Sequence, residues 1–463
     1  VSIRTTVEAI ILGRNDDYEE GWTHRLYCCL DYNRKRYEEA GLDYRVAFVE
    51  WNPVPGRSLL SADLIAAFPF VRAVAVEREV HLAVAEPGSP TMMLNFAYNA
   101  GLRSSTADYC VITSGDILVG RETVAAMAEA LRPDCLFRAE RVNILNSLDF
   151  ATVAPATIEA PETVVSVDNC SSPPYDQPPF TNACGDFLML DRRTMAGIRG
   201  FDEGVRGARL HLDTRFARTA MAAGLDCRLL GRIFHITHSN SHTVRVLAPT
   251  YGYELGLPYC NPPNWGLGDH AWNRIGDRLW QVGLPRAEAA GSAPNPSGDD
   301  PRTRAMVARL ADIARRNSPP APVAGVPASR TAIALERLRV PGYWEGETRL
   351  VQDGAHLVTS PQQFAYSAFV ALPADQTVPA PDEWCWTEIR LRVLRGHVAV
   401  ALLHDNDVIV EDYVTAEQGE RVVMLPNPHR GKAVLFRNGD PNGPSEAHIH
   451  AITIIRQPRS PHD

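Results

Sequence analysis

The residues best suited to chemistry are carboxylates and imidazoles placed where the chain would leave a strand. "SGDILVG" follows an apolar run, so Asp116 would leave the sheet at that point. A carboxylate there, joined by an imidazole, could hold a divalent cation that neutralises a departing diphosphate. Alone, Asp116 also reads as a turn or helix-capping residue. "LHLDTRFARTAMAAG" puts Asp213 at the start of a helix that Gly224 ends. It is either a carboxylate favoured by the helix dipole or a general base that deprotonates an attacking hydroxyl. His211, two residues earlier, could support it or touch substrate. "IFHITHSNSH" offers His235, His238 and His242. On an extended strand His235 and His238 face opposite sides, so both reach one cation only if the strand bends or ends between them. A single imidazole beside Asp116 is the more economical arrangement. The turn "GRNDDY", with Arg14, Asn15, Asp16 and Asp17, and the strand end "VEWNP", with Glu50, could bind ribose hydroxyls and a base edge. Both also read as capping clusters.

These positions need a scaffold. Apolar β-branched runs at 6–13, 44–52, 71–77 and 108–116 alternate with helical patterns at 23–40, 95–101 and 121–131. That alternation predicts a mostly parallel sheet with helices on both faces, with ligands beyond the carboxyl ends of its strands. Residues 152–179, rich in Pro, Ser and Thr, predict a long loop over the site. "ACGDFLMLD" predicts a further strand. Near residue 286 the chain turns to Ala, Pro, Gly and Ser, which predicts a linker around one short helix at 303–315. Beyond 335, short alternating runs broken by turn residues predict an antiparallel β-sandwich. The expected division is a catalytic domain over 1–245, a Trp-rich acceptor-side extension over 246–285, a linker over 286–334 and the sandwich over 335–463.

A length of 463 residues exceeds one ordinary core, and 45% hydrophobic with 22% charged residues is ordinary for a soluble protein. The net charge of −9 argues against a nucleic-acid surface. No apolar run is long enough for a membrane span, and the N-terminal stretch reads as a first strand. Nine scattered cysteines without a CxxC pair predict reduced thiols and a cytoplasmic location.

In order, "IILGRNDD", "NFAYNAGLRSSTADYCVITSGDILV", "NACGDFLMLDRRTMAGIRGFDEG", "LDTRFARTAMAAG" and "IFHITH" resemble the GT-A glycosyltransferases. The likeness is to their large inverting family of bacterial polysaccharide and cell-surface enzymes, and it covers about residues 6–245. It implies a GT-A α/β domain with a Rossmann-like, mostly parallel sheet. It implies Asp116 as metal ligand, His235 or His238 as the second protein ligand and Asp213 as catalytic base. Arg14, Asn15, Asp16 and Glu50 would line the nucleotide pocket, and Asn99, Gly185 and Asp186 would border the diphosphate and sugar. Two departures mark an atypical subgroup. Ser114 stands where the usual acidic motif has its first carboxylate, and Leu212 where an acid normally precedes the base.

The resemblance implies a divalent cation, Mn or Mg, and a nucleotide diphosphate sugar, with a UDP-sugar favoured over a GDP-sugar. The acceptor would be a glycan or another hydroxylated molecule. Trp265 is a candidate acceptor platform through ring packing on a sugar. Trp272 and Trp280 have helical spacing and suit a structural clamp. The C-terminal part resembles, loosely, the sandwich modules of carbohydrate-active enzymes, with Trp344, Trp384 and Trp386 as exposed aromatic candidates and homo-oligomerisation as another role. Two other classes compete: a sugar nucleotidyltransferase, and a catalytically silent sugar-binding protein.

Overall fold

The computed structural model describes residues 4–16, 20–85, 89–150, 152–170, 176–206, 212–238, 258–285, 300–317, 322, 326–342, 345–362, 365–378, 380, 382–404, 407–427, 431–440 and 442–459. Four runs, β1 (Thr6–Gly13), β2 (Asp43–Trp51), β3 (Val71–Val76) and β4 (Tyr109–Ile112), lie in parallel in the order β3-β2-β1-β4. Burial on both faces explains why they are nearly continuous in apolar residues. The connections carry α1 (Trp22–Glu39), α2 (Leu60–Ala67), α3 (Arg78–Val84) and α4 (Leu94–Ser104), and α5 (Arg121–Ala130) follows. Leu26, Leu30, Leu64 and Met127 bring α1, α2 and α5 into one core with Val7, Ile11 and Phe48. The other face is covered by α4, where Gly101 lies against Ile10 and Val49.

Past β4 the sheet continues through β5 (Ile117–Val119), β6 (Cys135–Ile144), β7 (Val164–Asp168), β8 (Leu188–Asp191) and β9 (Asp226–Ile236). Their order is β4-β8-β6-β9-β5, with β7 on β6; β6 and β9 are parallel and the other pairs antiparallel. Three helices belong to this half: α6 (Pro155–Ile158), α7 (Arg192–Ile198) and α8 (Leu212–Ala222). The expected loop over 152–179 thus contains α6 and β7. The expected strand at "ACGDFLMLD" begins only at Leu188, because Cys184–Asp186 forms a tight 3-10 turn.

By its contacts the chain divides into two compact units, one holding Val1–Ser241 and Tyr259–Leu310, the other His242–Pro258 and Ala311–Asp463. From Tyr259 the Trp-rich stretch therefore joins the first unit: β10 (Ala271–Arg274) and β11 (Leu279–Gly283) form a hairpin whose second strand pairs in parallel with β3. Trp272 and Trp280 sit on its two strands, not on a helix, since the turn at Gly276 reverses the chain. Trp272 is buried, and its Nε1 donates to the Leu267 carbonyl at 2.9 Å. The helix expected in the linker is α9 (Pro301–Asn317), and its Met306 packs on Gly197 of α7.

The second unit is built mainly of antiparallel strands: β12 (Ser329–Ile333), β13 (Glu347–Val351), β14 (Gly354–Val358), β15 (Tyr366–Ala371), β16 (Glu383–Arg395), β17 (His397–His404), β18 (Asp407–Thr415), β19 (Glu420–Pro426), β20 (Ala433–Asn438) and β21 (Glu446–Pro458). They form one sheet in the order β13-β14-β21-β16-β19, with β12 also on β21, and another in the order β15-β20-β17-β18. Leu357, Ile389 and Ile449 of the first meet Val400 and Phe436 of the second in one core. Trp384 and Trp386 are buried, so neither is the exposed ring expected from the sequence. The Arg459 guanidinium stacks 3.9 Å from the Trp384 ring centre. Trp344 lies outside the described residues. Among those residues, no helix is long and apolar enough to cross a membrane.

Candidate metal centre and its surroundings

Asp116 enters the turn between β4 and β5 with only 5% of its surface exposed. Its backbone carbonyl accepts from Ile236 N at 3.1 Å, which fixes the end of β9 beside it. In register, Ile117 of β5 lies opposite His235, and Asn143 of β6 flanks His235 on the other side. β9 stops at Ile236, so the chain bends before His238. Two imidazoles that would diverge on a longer strand therefore converge on one carboxylate. His235 Nε2 lies 3.8 Å and His238 Nε2 3.3 Å from Asp116 Oδ2. The two rings are 5.0 Å apart and nearly perpendicular.

One ligand atom from each of the three side chains falls within 4.8 Å of the others. Asp116 Oδ1 is buried with no hydrogen-bond partner. One carboxylate and two imidazoles form a donor set that fits a divalent cation, and the bare oxygen is an unmet acceptor of the kind such an ion satisfies. Burial pushes the Asp116 carboxyl up, but the hydrogen bond from His238 and the charges of His235 and His238 hold it below the usual carboxylate value. Burial pushes His235 below the usual imidazole value, against the pull of Asp116.

A polar chain surrounds this group. His235 Nδ1 is 2.8 Å from Asn143 Oδ1. Asn143 Nδ2 donates to Ser166 Oγ at 2.9 Å and to Asp168 Oδ2 at 3.0 Å. Arg141 joins Asp168 to Asp186 through contacts of 2.6 and 2.5 Å. Asp186 also accepts from Ser114 Oγ at 3.0 Å, two residues before Asp116. Arg141, Asn143 and Asp168 were not singled out from the sequence. The available signal was polar side chains inside an otherwise buried strand, Arg141 and Asn143 in "FRAERVNI".

Asp186 belongs to the 3-10 turn that also meets Asp213. A Cβ on Gly185 would lie 3.0 Å from Asp213 Oδ2, so glycine lets the carboxylate approach the turn. Asp213 Oδ1 accepts from Thr214 N at 2.9 Å. Burial first, then the negative charge of Asp213, pushes the Cys184 thiol well up, which leaves a neutral S–H beside the carboxylate. Arg138, fully buried on β6, donates to the carbonyls of Phe180, Asn182, Cys184 and Phe187 and thereby fixes this segment.

The other expected positions divide. Arg14 donates to the Asn52 carbonyl at 2.7 Å and to Asp16 Oδ2 at 2.8 Å, while Asp16 Oδ1 is buried without a partner. Asn15 clasps the 54–58 loop through Val54 N and the Ser58 carbonyl. Glu50 is fully buried and accepts from Leu60 N, Ser61 N and Ser61 Oγ at the start of α2, so its oxygens serve the helix. Asn99 is also fully buried and spends its amide on Phe201 and Glu203. Trp265, expected as an acceptor platform, is buried at 4% exposure, with the Arg103 guanidinium 5.7 Å from its ring centre. Folding the stretch after 258 onto α4 is what closes that ring off. His211, His242 and Asp17 lie outside the described residues.

No protein-family model matches the sequence. No curated protein matches it either. Among solved structures, the chain is similar to GalNAc-T7 crystallised with UDP, GalNAc and Mn2+: 10% identity, TM-score 0.34, covering 52% of this chain and 45% of that one. It thus spans less than half the length of that protein. It is also similar to CBM29_1, a family 29 carbohydrate binding module from Piromyces equi, at 8% identity and TM-score 0.23, over 28% of this chain and 91% of that one.

Proposed function

We propose that the first unit is an inverting glycosyltransferase that uses a divalent cation to move a sugar from a nucleotide diphosphate sugar to a hydroxyl of a glycan or related acceptor. The observation that carries this reading is the convergence of Asp116, His235 and His238, with a bare buried oxygen, at the exit of a parallel strand. Asp116, His235 and His238 would hold the cation, which supplies positive charge against the departing diphosphate. Asp213 would take the acceptor proton on Oδ2, because Oδ1 already accepts from Thr214 N. Inversion follows from a single displacement, with the base on the face opposite the leaving group. The 184–186 turn spaces base from cation: Gly185 meets Asp213, and Asp186 is held by Ser114 and Arg141. Arg14 and Asp16 would hold the nucleoside.

The test is thermal shift of the protein against a panel of nucleotide diphosphates with Mn2+, Mg2+ or EDTA. A ligand at about 100 times its dissociation constant stabilises a fold by roughly 2.7 kcal/mol. One nucleotide should raise Tm only with the cation, and Asp116→Asn should remove that dependence. A fold indifferent to every nucleotide, with or without metal, overturns the reading and favours a silent sugar-binding protein.

A further inference from the structure

Arg25 lies in the first turn of α1 with 8% of its surface exposed. Its Nη1 donates to the Glu20 carbonyl at 2.8 Å, but Nε and Nη2 are buried with no hydrogen-bond partner. A buried, unmet donor of a charged group opposes folding unless a ligand supplies its acceptor. The turn bearing Asp116 packs against the same part of α1. A Cβ on Gly115 would lie 2.9 Å from Cδ1 of Leu26, the residue after Arg25, and 3.4 Å from Cζ2 of Trp22, one helical turn before Leu26. Two opposite deficits are thus buried around one packing contact: an acceptor without a donor on Asp116, and two donors without an acceptor on Arg25, whose positive charge reaches Asp116.

A cation alone would satisfy Asp116 but add positive charge beside Arg25. An anion alone would satisfy Arg25 but add negative charge beside Asp116. A cation already bound to an oxyanion meets both needs. We propose that Arg25 is the oxyanion-binding residue of this site, with Nε and Nη2 taking oxygens of a cation-bound diphosphate. The planar fork suits paired phosphate oxygens, and its flexible stem lets it turn towards them. This inference rests on the transferase reading for the identity of the diphosphate carrier, but not for its own test.

That test uses the full chain, Mn2+ and inorganic pyrophosphate, read by thermal shift and titration calorimetry. The wild type should be stabilised by pyrophosphate in Mn2+. Arg25→Met should keep or raise the ligand-free Tm, since it removes an unmet buried charge, and should weaken pyrophosphate binding at least tenfold. Arg25→Lys should fall between them, keeping charge without the fork. The inference is overturned if the wild type ignores pyrophosphate, or if Arg25→Met binds it within twofold of wild type. A lower ligand-free Tm with unchanged pyrophosphate affinity would make Arg25 a purely structural residue. Arg25-dependent pyrophosphate binding without turnover of any nucleotide sugar would sink the transferase reading and leave this inference standing.

Discussion

Asn143 decides which nitrogen of His235 faces Asp116. With Nδ1 held by the amide oxygen at 2.8 Å, Nε2 carries the lone pair towards the carboxylate. Loss of such an outer partner typically costs 10–100-fold in metal affinity. Asn143→Leu should therefore weaken Mn2+ binding by about that factor, measured by calorimetry, while circular dichroism stays native. Unchanged affinity would show that the imidazole is oriented by packing alone. At Asp213, Asp213→Asn should retain donor binding and abolish transfer; turnover by that variant removes the residue from the mechanism. Asp116 and a partner among His235 and His238 could be named from the sequence because carboxylate and imidazole at strand ends are recognisable ligand types, whereas the convergence of both rings depends on where β9 ends. Asn143 could not be. A neutral amide in a strand looks like ordinary polar surface, and its pairing with His235 arises from the register of β6 on β9, across 92 residues of chain.

Elements show a different balance of local and distant information. The parallel core was legible because strands covered on both faces must be apolar throughout, as β1 to β4 are. Glu50 was not. At a strand exit it has the look of a ligand, yet its carboxylate receives two backbone N–H groups and a hydroxyl at the start of α2. Bonds of this kind to a charged group contribute about 1.5–3 kcal/mol each, and a helix cap about 1 kcal/mol. Glu50→Ala should lower stability by roughly 2–4 kcal/mol in urea titration. A stable Glu50→Ala protein that no longer binds nucleotide would return the residue to the donor pocket. The hairpin of β10 and β11 was missed for a related reason. Two tryptophans eight positions apart mimic helical spacing, and only the distant edge of β3 selects the strand state.

Across the molecule, the main surprise is that residues 259–310 return to the first unit after the site is complete. Composition does not reveal such a return, because the contacts that secure it are specific and far apart in sequence. Glu203 is their centre: its Oε1 accepts from Asn99 Nδ2 of α4 at 2.9 Å and from Gly266 N at 2.7 Å. Asn261 reinforces the joint by accepting from Glu203 N at 3.0 Å. Burial raises the Glu203 carboxyl from 4.5 to about 7, against the pull of Asn99, Gly266 and Arg103. An acid with a raised folded pKa keeps its proton in the native state where the unfolded chain has lost it. Its contribution to stability is therefore complete below about pH 4.5 and is lost as pH rises through about 7, a change on the order of 3 kcal/mol. Glu203→Gln keeps the accepting oxygen and cannot ionise, so its stability should not fall between pH 5 and pH 8. Chemical denaturation of both proteins at those two values measures the difference. Parallel loss of stability in the wild type and Glu203→Gln would assign the pH dependence to another group and leave Glu203 ionised throughout.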